Sequence, residues 1–105
     1  MAAAKRVVCV GDRPHEMVEQ IKLMVRRKDI EFTEATGEHE GLEAIRRVKP
    51  DLVFLDLMAL NTDGWKVYQR MKSDSELEHI PVIATSPKEL REMAHLARYD
   101  IKALL

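Results

Sequence analysis

The chain is poor in the residues that staple or break a fold: one cysteine, four glycines and four prolines in 105 positions. A lone Cys9 cannot close an internal disulfide and has no second thiol with which to share a metal, so it reads as a small core residue inside an apolar segment. Nowhere is there an apolar run near the roughly 20 residues that span a bilayer. The Met-Ala-Ala-Ala-Lys-Arg start also lacks the long apolar stretch of a secretory signal, which makes a cytoplasmic chain the expectation. Neither charge sign dominates. Seventeen Lys and Arg against eighteen Asp and Glu give a net charge of -1, which offers no electrostatic reason to expect nucleic acid or an anionic membrane as partner. The basic runs Arg26-Arg27-Lys28 and Arg46-Arg47-Val48-Lys49 fall at the ends of helical patterns, where cations offset the negative end of the helix dipole.

What is present is an ordinary globular composition, 46% apolar and 33% charged, in a length that holds one hydrophobic core and therefore one domain, 1–105. A β-branched run over 5–10 is followed by Pro14 and by Met17, Val18, Ile21, Met24 and Val25 at helical spacing, a strand and then a helix. Ile30 and Phe32 alternate with Glu31 and Thr33 as in a strand, and Leu42, Ile45 and Val48 form the next helical stripe. Pro50 ends that helix. Positions 51–56, Asp-Leu-Val-Phe-Leu-Asp, form the near-continuous apolar run of a strand buried on both faces of a parallel sheet. The turn-rich Asn61-Thr62-Asp63-Gly64 leads into a helix carrying Trp65, Tyr68 and Met71, and positions 80–84 supply a fourth strand. Leu90, Met93, Ala94 and Ala97 make a fourth helical stripe, and 101–105 reads as a fifth strand. Alternation of this kind calls for a parallel sheet with right-handed crossovers and helices on both faces.

In open sheets of this type, chemistry sits beyond the carboxyl ends of the strands. Those ends are Val10-Gly11-Asp12, Leu55-Asp56-Leu57-Met58 and Ala84-Thr85-Ser86. Two carboxylates and a hydroxyl on one rim suit a hard cation such as Mg²⁺, beside which a carboxylate is able to attack a phosphoryl group and form an aspartyl phosphate.

Pro50-Asp-Leu-Val-Phe-Leu-Asp56, then Asp63-Gly64-Trp65, then Ile80-Pro81-Val82-Ile83, in this order and spacing, resemble the receiver domains of two-component response regulators from about Arg6 to Leu105. The resemblance implies a flavodoxin-like, doubly wound, five-stranded parallel sheet of order 2-1-3-4-5. It further implies a signalling domain rather than an enzyme. Asp56 would be the phosphoacceptor, loaded by a histidine kinase or phosphotransfer protein. Asp12, Asp56 and the Met58 backbone carbonyl would hold Mg²⁺, and Ser86 would turn its hydroxyl toward the phosphoryl oxygens.

The sequence also departs from the family. Gly11 stands where the first of two adjacent acids is usual. A missing unit charge at about 4 Å is worth roughly 1 to 4 kcal/mol, so Mg²⁺ binding is expected to be weak. Ala59-Leu60 replaces Met-Pro and removes a rigid turn residue. The chain stops at Leu105, before the family's Lys beyond strand five and its fifth helix, Lys102 lying too early, and Leu104 holds the position of the usual Tyr or Phe. Either the chain is a C-terminally truncated fragment, or its strand-five side is covered by a partner or a second copy of the chain.

Simpler roles compete at each site. Asp12 is placed to cap the helix that begins at Pro14, and Ser86-Pro87-Lys88-Glu89 is a capping box. The four histidines lack metal-like spacing and read as surface residues. Trp65 and Tyr68 read as packing, and the six methionines mostly as core. Two other functions remain open: a phosphorylation-independent pseudo-receiver acting as an interaction module, and, more weakly, a nucleotide- or flavin-binding protein, disfavoured because no Gly-rich loop follows the first strand.

Overall fold

A computed structural model of the chain describes residues 4–25, 27–85 and 88. The apolar run Lys5–Val10 forms β1, and Pro14, whose missing N–H costs nothing in a first turn, opens helix α1, Pro14–Met24. The alternating segment Ile30–Ala35 is β2. Helix α2, Glu38–Val48, carries acids in its first turn and Arg46 and Arg47 in its last, the arrangement its dipole favours. Its C-cap Lys49 adopts a left-handed conformation before Pro50. Strand β3, Leu52–Asp56, is buried at every position. Helix α3, Gly64–Lys72, starts where the Asp63 side chain accepts a hydrogen bond from the Lys66 amide, and β4 is Val82–Thr85.

The four strands form one parallel sheet of order β2-β1-β3-β4, the expected order as far as the described residues reach. The expected fifth strand over 101–105, the fourth helical stripe, Lys102 and Leu104 lie outside them. Strand four begins two residues later than the alternation suggests. Ile80 closes a turn by donating to the Leu77 carbonyl, and Pro81 has no N–H to give, although its carbonyl accepts from Val53.

Burial follows from the crossovers. Helix α1 packs on one face of the sheet, where Val7, Cys9, Met17, Ile21, Leu52 and Phe54 meet. The other face collects Val8, Val10, Leu42, Ile45, Val53, Leu55, Val67 and Met71 under α2 and α3. Alternate residues of β1 and β3 therefore feed opposite cores, each fully buried side chain contributing about 1.5–3 kcal/mol. Cys9 sits in the first core as expected, and burial, aided by the charge of Glu34, pushes its thiol pKa up. Glu38 of α2 pairs with Arg70 (3.0 Å) and Lys66 (3.9 Å) of α3, fastening the two helices at their exposed edge.

Candidate functional site

The carboxyl ends of β1 and β3 lie side by side because the two strands pair in register from Val7 with Leu52 to Val10 with Leu55. One residue beyond that register, Asp56 ends β3 opposite Thr85 of β4. Its side chain is buried, with 5% exposure, and its Oδ1 accepts a hydrogen bond from the Met58 amide at 2.9 Å. Short-range backbone geometry thus orients the carboxylate that the sequence singles out.

Gly11 forms the wall beside it. A Cβ built on Gly11 would lie 2.8 Å from the Asp56 Cβ and 3.4 Å from Oδ2, so the close approach of the two chain segments depends on the absence of a side chain at position 11. Gly64 plays the matching part on the other side, where a Cβ would lie 2.7 Å from the Asp56 carbonyl oxygen. The start of α3 is consequently seated directly on the end of β3.

Asp12 lies on the same rim but is turned elsewhere. Its Oδ2 accepts from the amides of Leu60 (2.8 Å) and Asn61 (3.0 Å), and its Oδ1 accepts from the Thr62 hydroxyl at 2.9 Å. The Asn61 amide foremost holds the Asp12 carboxyl below the usual aspartate range; burial opposes it, and the Thr62 hydroxyl, the Leu60 amide and the Arg13 charge add to the lowering. Thr62, only 2% exposed, in turn accepts from the Gly37 amide at 2.9 Å. One chain of hydrogen bonds therefore ties together the loops that follow β1, β2 and β3.

The expected cap role of Asp12 is corrected here. The N-cap position of α1 is Arg13, whose side chain has no acceptor and makes no cap bond, while Asp12 is bonded to the loop after β3. Thr62 and the two amides are the site groups that sequence reasoning misses. The available signal was the lack of a proline at position 60, which leaves an N–H there to donate.

The fit to Mg²⁺ follows from these contacts. The cation implied by the sequence resemblance is Mg²⁺. Here the oxygen-only set of Asp12, Asp56 and the Met58 carbonyl has the right chemistry, but about four lone-pair positions on the Asp12 carboxylate already receive three hydrogen bonds. Position 11 contributes no ligand. Among the described residues no group of three or more His, Cys, Asp or Glu is arranged to hold a metal ion. These residues do not fit a ready-made cation site.

Ser86 lies outside the described residues. The Met58 side chain is 76% exposed, and Leu60 beside it is 95% exposed. Trp65 and Tyr68 pack edge to face, ring centres 6.4 Å apart, over a cavity of about 280 Å³ that they line with Leu57, Val82 and Ala84. His15 bridges Glu34 (3.1 Å) and Glu19 (3.4 Å) at the surface, in keeping with a surface role. Among the described residues no helix is long and apolar enough to cross a membrane.

Comparison with known proteins places the chain in a family. The family model for the response regulator receiver domain matches residues 7–103. Protein PilH of Pseudomonas aeruginosa is 27% identical over 84 residues, covering 80% of this chain and 69% of that protein. The polar-differentiation response regulator DivK of Brucella anthropi is 40% identical over 82 residues, covering 78% of this chain and 66% of the relative. The chain thus spans about two thirds of the length of these relatives. Among solved structures, the N-terminal domain of a response regulator receiver protein from Methanoculleus marisnigri superposes with a TM-score of 0.63 at 32% identity, over 84% of this chain and 75% of that one. By sequence and by fold, the chain belongs to the response regulator receiver domain family.

Proposed function

We propose that this receiver domain takes a phosphoryl group on Asp56 from a histidine kinase or phosphotransfer protein and thereby switches its affinity for a partner. The observation that carries the reading is the placement of Asp56, a carboxylate with 5% exposure at the end of the fully buried central strand. In the transfer, an Asp56 carboxylate oxygen forms the bond to phosphorus as the bond from phosphorus to the donor nitrogen breaks, and the donor imidazole leaves with its electron pair. The Met58 amide, already bonded to Oδ1, holds the carboxyl plane through that step, and Gly11 leaves the Oδ2 side clear of a β-carbon. Ser86 is the proposed hydroxyl contact for the new phosphoryl oxygens. Mg²⁺ recruitment to Asp12, Asp56 and the Met58 carbonyl is weak in this reading, because position 11 lacks its charge and Asp12 is engaged by the loop.

The test is incubation with a small phosphodonor, with and without Mg²⁺, followed by intact mass. The expected result is one phosphoryl group on the wild-type chain and none on Asp56→Asn. Failure to add a phosphoryl group under any metal condition would overturn the proposal. The commitment of Asp12 to three donors in the loop after β3 favours a second reading, a pseudo-receiver that binds its partner without phosphorylation. That reading requires partner binding in phosphodonor to be the same for wild type and Asp56→Asn.

A further inference from the structure

Three unusual positions converge on one set of hydrogen bonds. Leu60, not a proline, provides an amide to Asp12 Oδ2. Thr62, a buried hydroxyl, provides a donor to Oδ1 while receiving the Gly37 amide on its other side. Gly11, with no side chain, removes a neighbouring charge and lets the β1 end press to within a β-carbon's width of Asp56. The Gly11 amide is itself bonded to the Ala35 carbonyl at the end of β2. The three donors on Asp12 lie 48 to 50 residues away in sequence, so the contact is a tertiary clasp rather than a local turn.

We propose that Asp12 is the clasp of the β3–α3 loop, in place of the resident-cation ligand that its position on the rim would otherwise make it. The carboxylate fixes the backbone at 60 and 61 and, through Thr62 and Gly37, sets the loop before α2 against the loop before α3. Cation binding at the rim and order in this loop are therefore opposed: a divalent ion on Asp12 must displace amide donors already satisfied there. Asp12 is a positioning residue on this account, and the account holds whether or not Asp56 accepts a phosphoryl group.

The test needs no phosphodonor, so its failure is separate from failure of the phosphoacceptor reading. Amide hydrogen exchange on the full chain, wild type against Asp12→Asn, should show protection at Leu60 and Asn61 falling by about tenfold, the order expected when an amide loses a charged acceptor. The amides of Val8 and Phe54 should be unchanged, reporting an intact sheet. In parallel, Mn²⁺ titration followed by its electron paramagnetic resonance signal should give tighter binding, by about tenfold, in Leu60→Pro/Thr62→Val than in wild type, since two of the three competing donors are gone. Leu60→Pro alone, the milder variant should the double variant not fold, should move the same way. Unchanged exchange at 60 and 61 in Asp12→Asn, or Mn²⁺ affinity equal in wild type and both loop variants, overturns the clasp.

Discussion

Asp56 ends β3 and Asp12 lies just beyond the neighbouring β1 on the same rim, yet they are held in opposite ways. Asp56 is buried and oriented by an amide two residues along its own chain, whereas Asp12 is partly exposed and held by groups about fifty residues distant. The first arrangement is local, made between the strand end and the second residue beyond it. The second exists only when three loops are folded against one another. A rim acid can therefore serve chemistry or architecture, and the distinction lies in where its acceptor capacity is directed, not in its position along the strand.

The largest effect that separates the two is expected from Phe54→Ala, which leaves a cavity in the platform under Asp56. It should cost about 3–5 kcal/mol in urea-monitored unfolding, and a loss under 1 kcal/mol would mean that β3 is not the central support claimed for it. Gly11→Asp, which places an acid where the family usually has one, should not restore a cation site. The new β-carbon meets Asp56 at 2.8 Å, so the variant should lose about 1–3 kcal/mol of stability. Stronger Mn²⁺ binding at unchanged stability would show that the two segments separate freely. Thr62→Val removes a buried hydroxyl that accepts from Gly37 and donates to Asp12, and should lower stability by about 1–2 kcal/mol while leaving the Met58–Asp56 contact intact. Smallest is Arg70→Gln at the α2–α3 edge, where the exposed pair with Glu38 should contribute under about 1 kcal/mol and show it only at low salt.

The same contrast explains what the sequence made legible. β1, α1, β2, α2 and β3 follow from local periodicity and from Pro14 and Pro50, since each is decided by neighbours within a turn or a strand. Asp56 was readable for that reason: the apolar run 52–55 buries the strand and delivers the acid at its end. The work of Asp12 was not, because its partners are mostly backbone amides, which carry no letter of their own, brought from the loop after β3 by the fold. The start of β4 slipped because an apolar Ile80 looks like a strand residue, while the turn it closes is defined by a bond to Leu77.

The seating of Gly64 on the Asp56 carbonyl has a practical consequence. With no β-carbon as spacer, a displacement of the β3 end is passed to the first turn of α3 with little slack, and the next residue in that turn is Trp65, 58% exposed and the sole tryptophan of the chain. The domain thus carries a candidate optical gauge: the indole emission, from the residue next to Gly64, is expected to follow displacement of the strand end with no label attached.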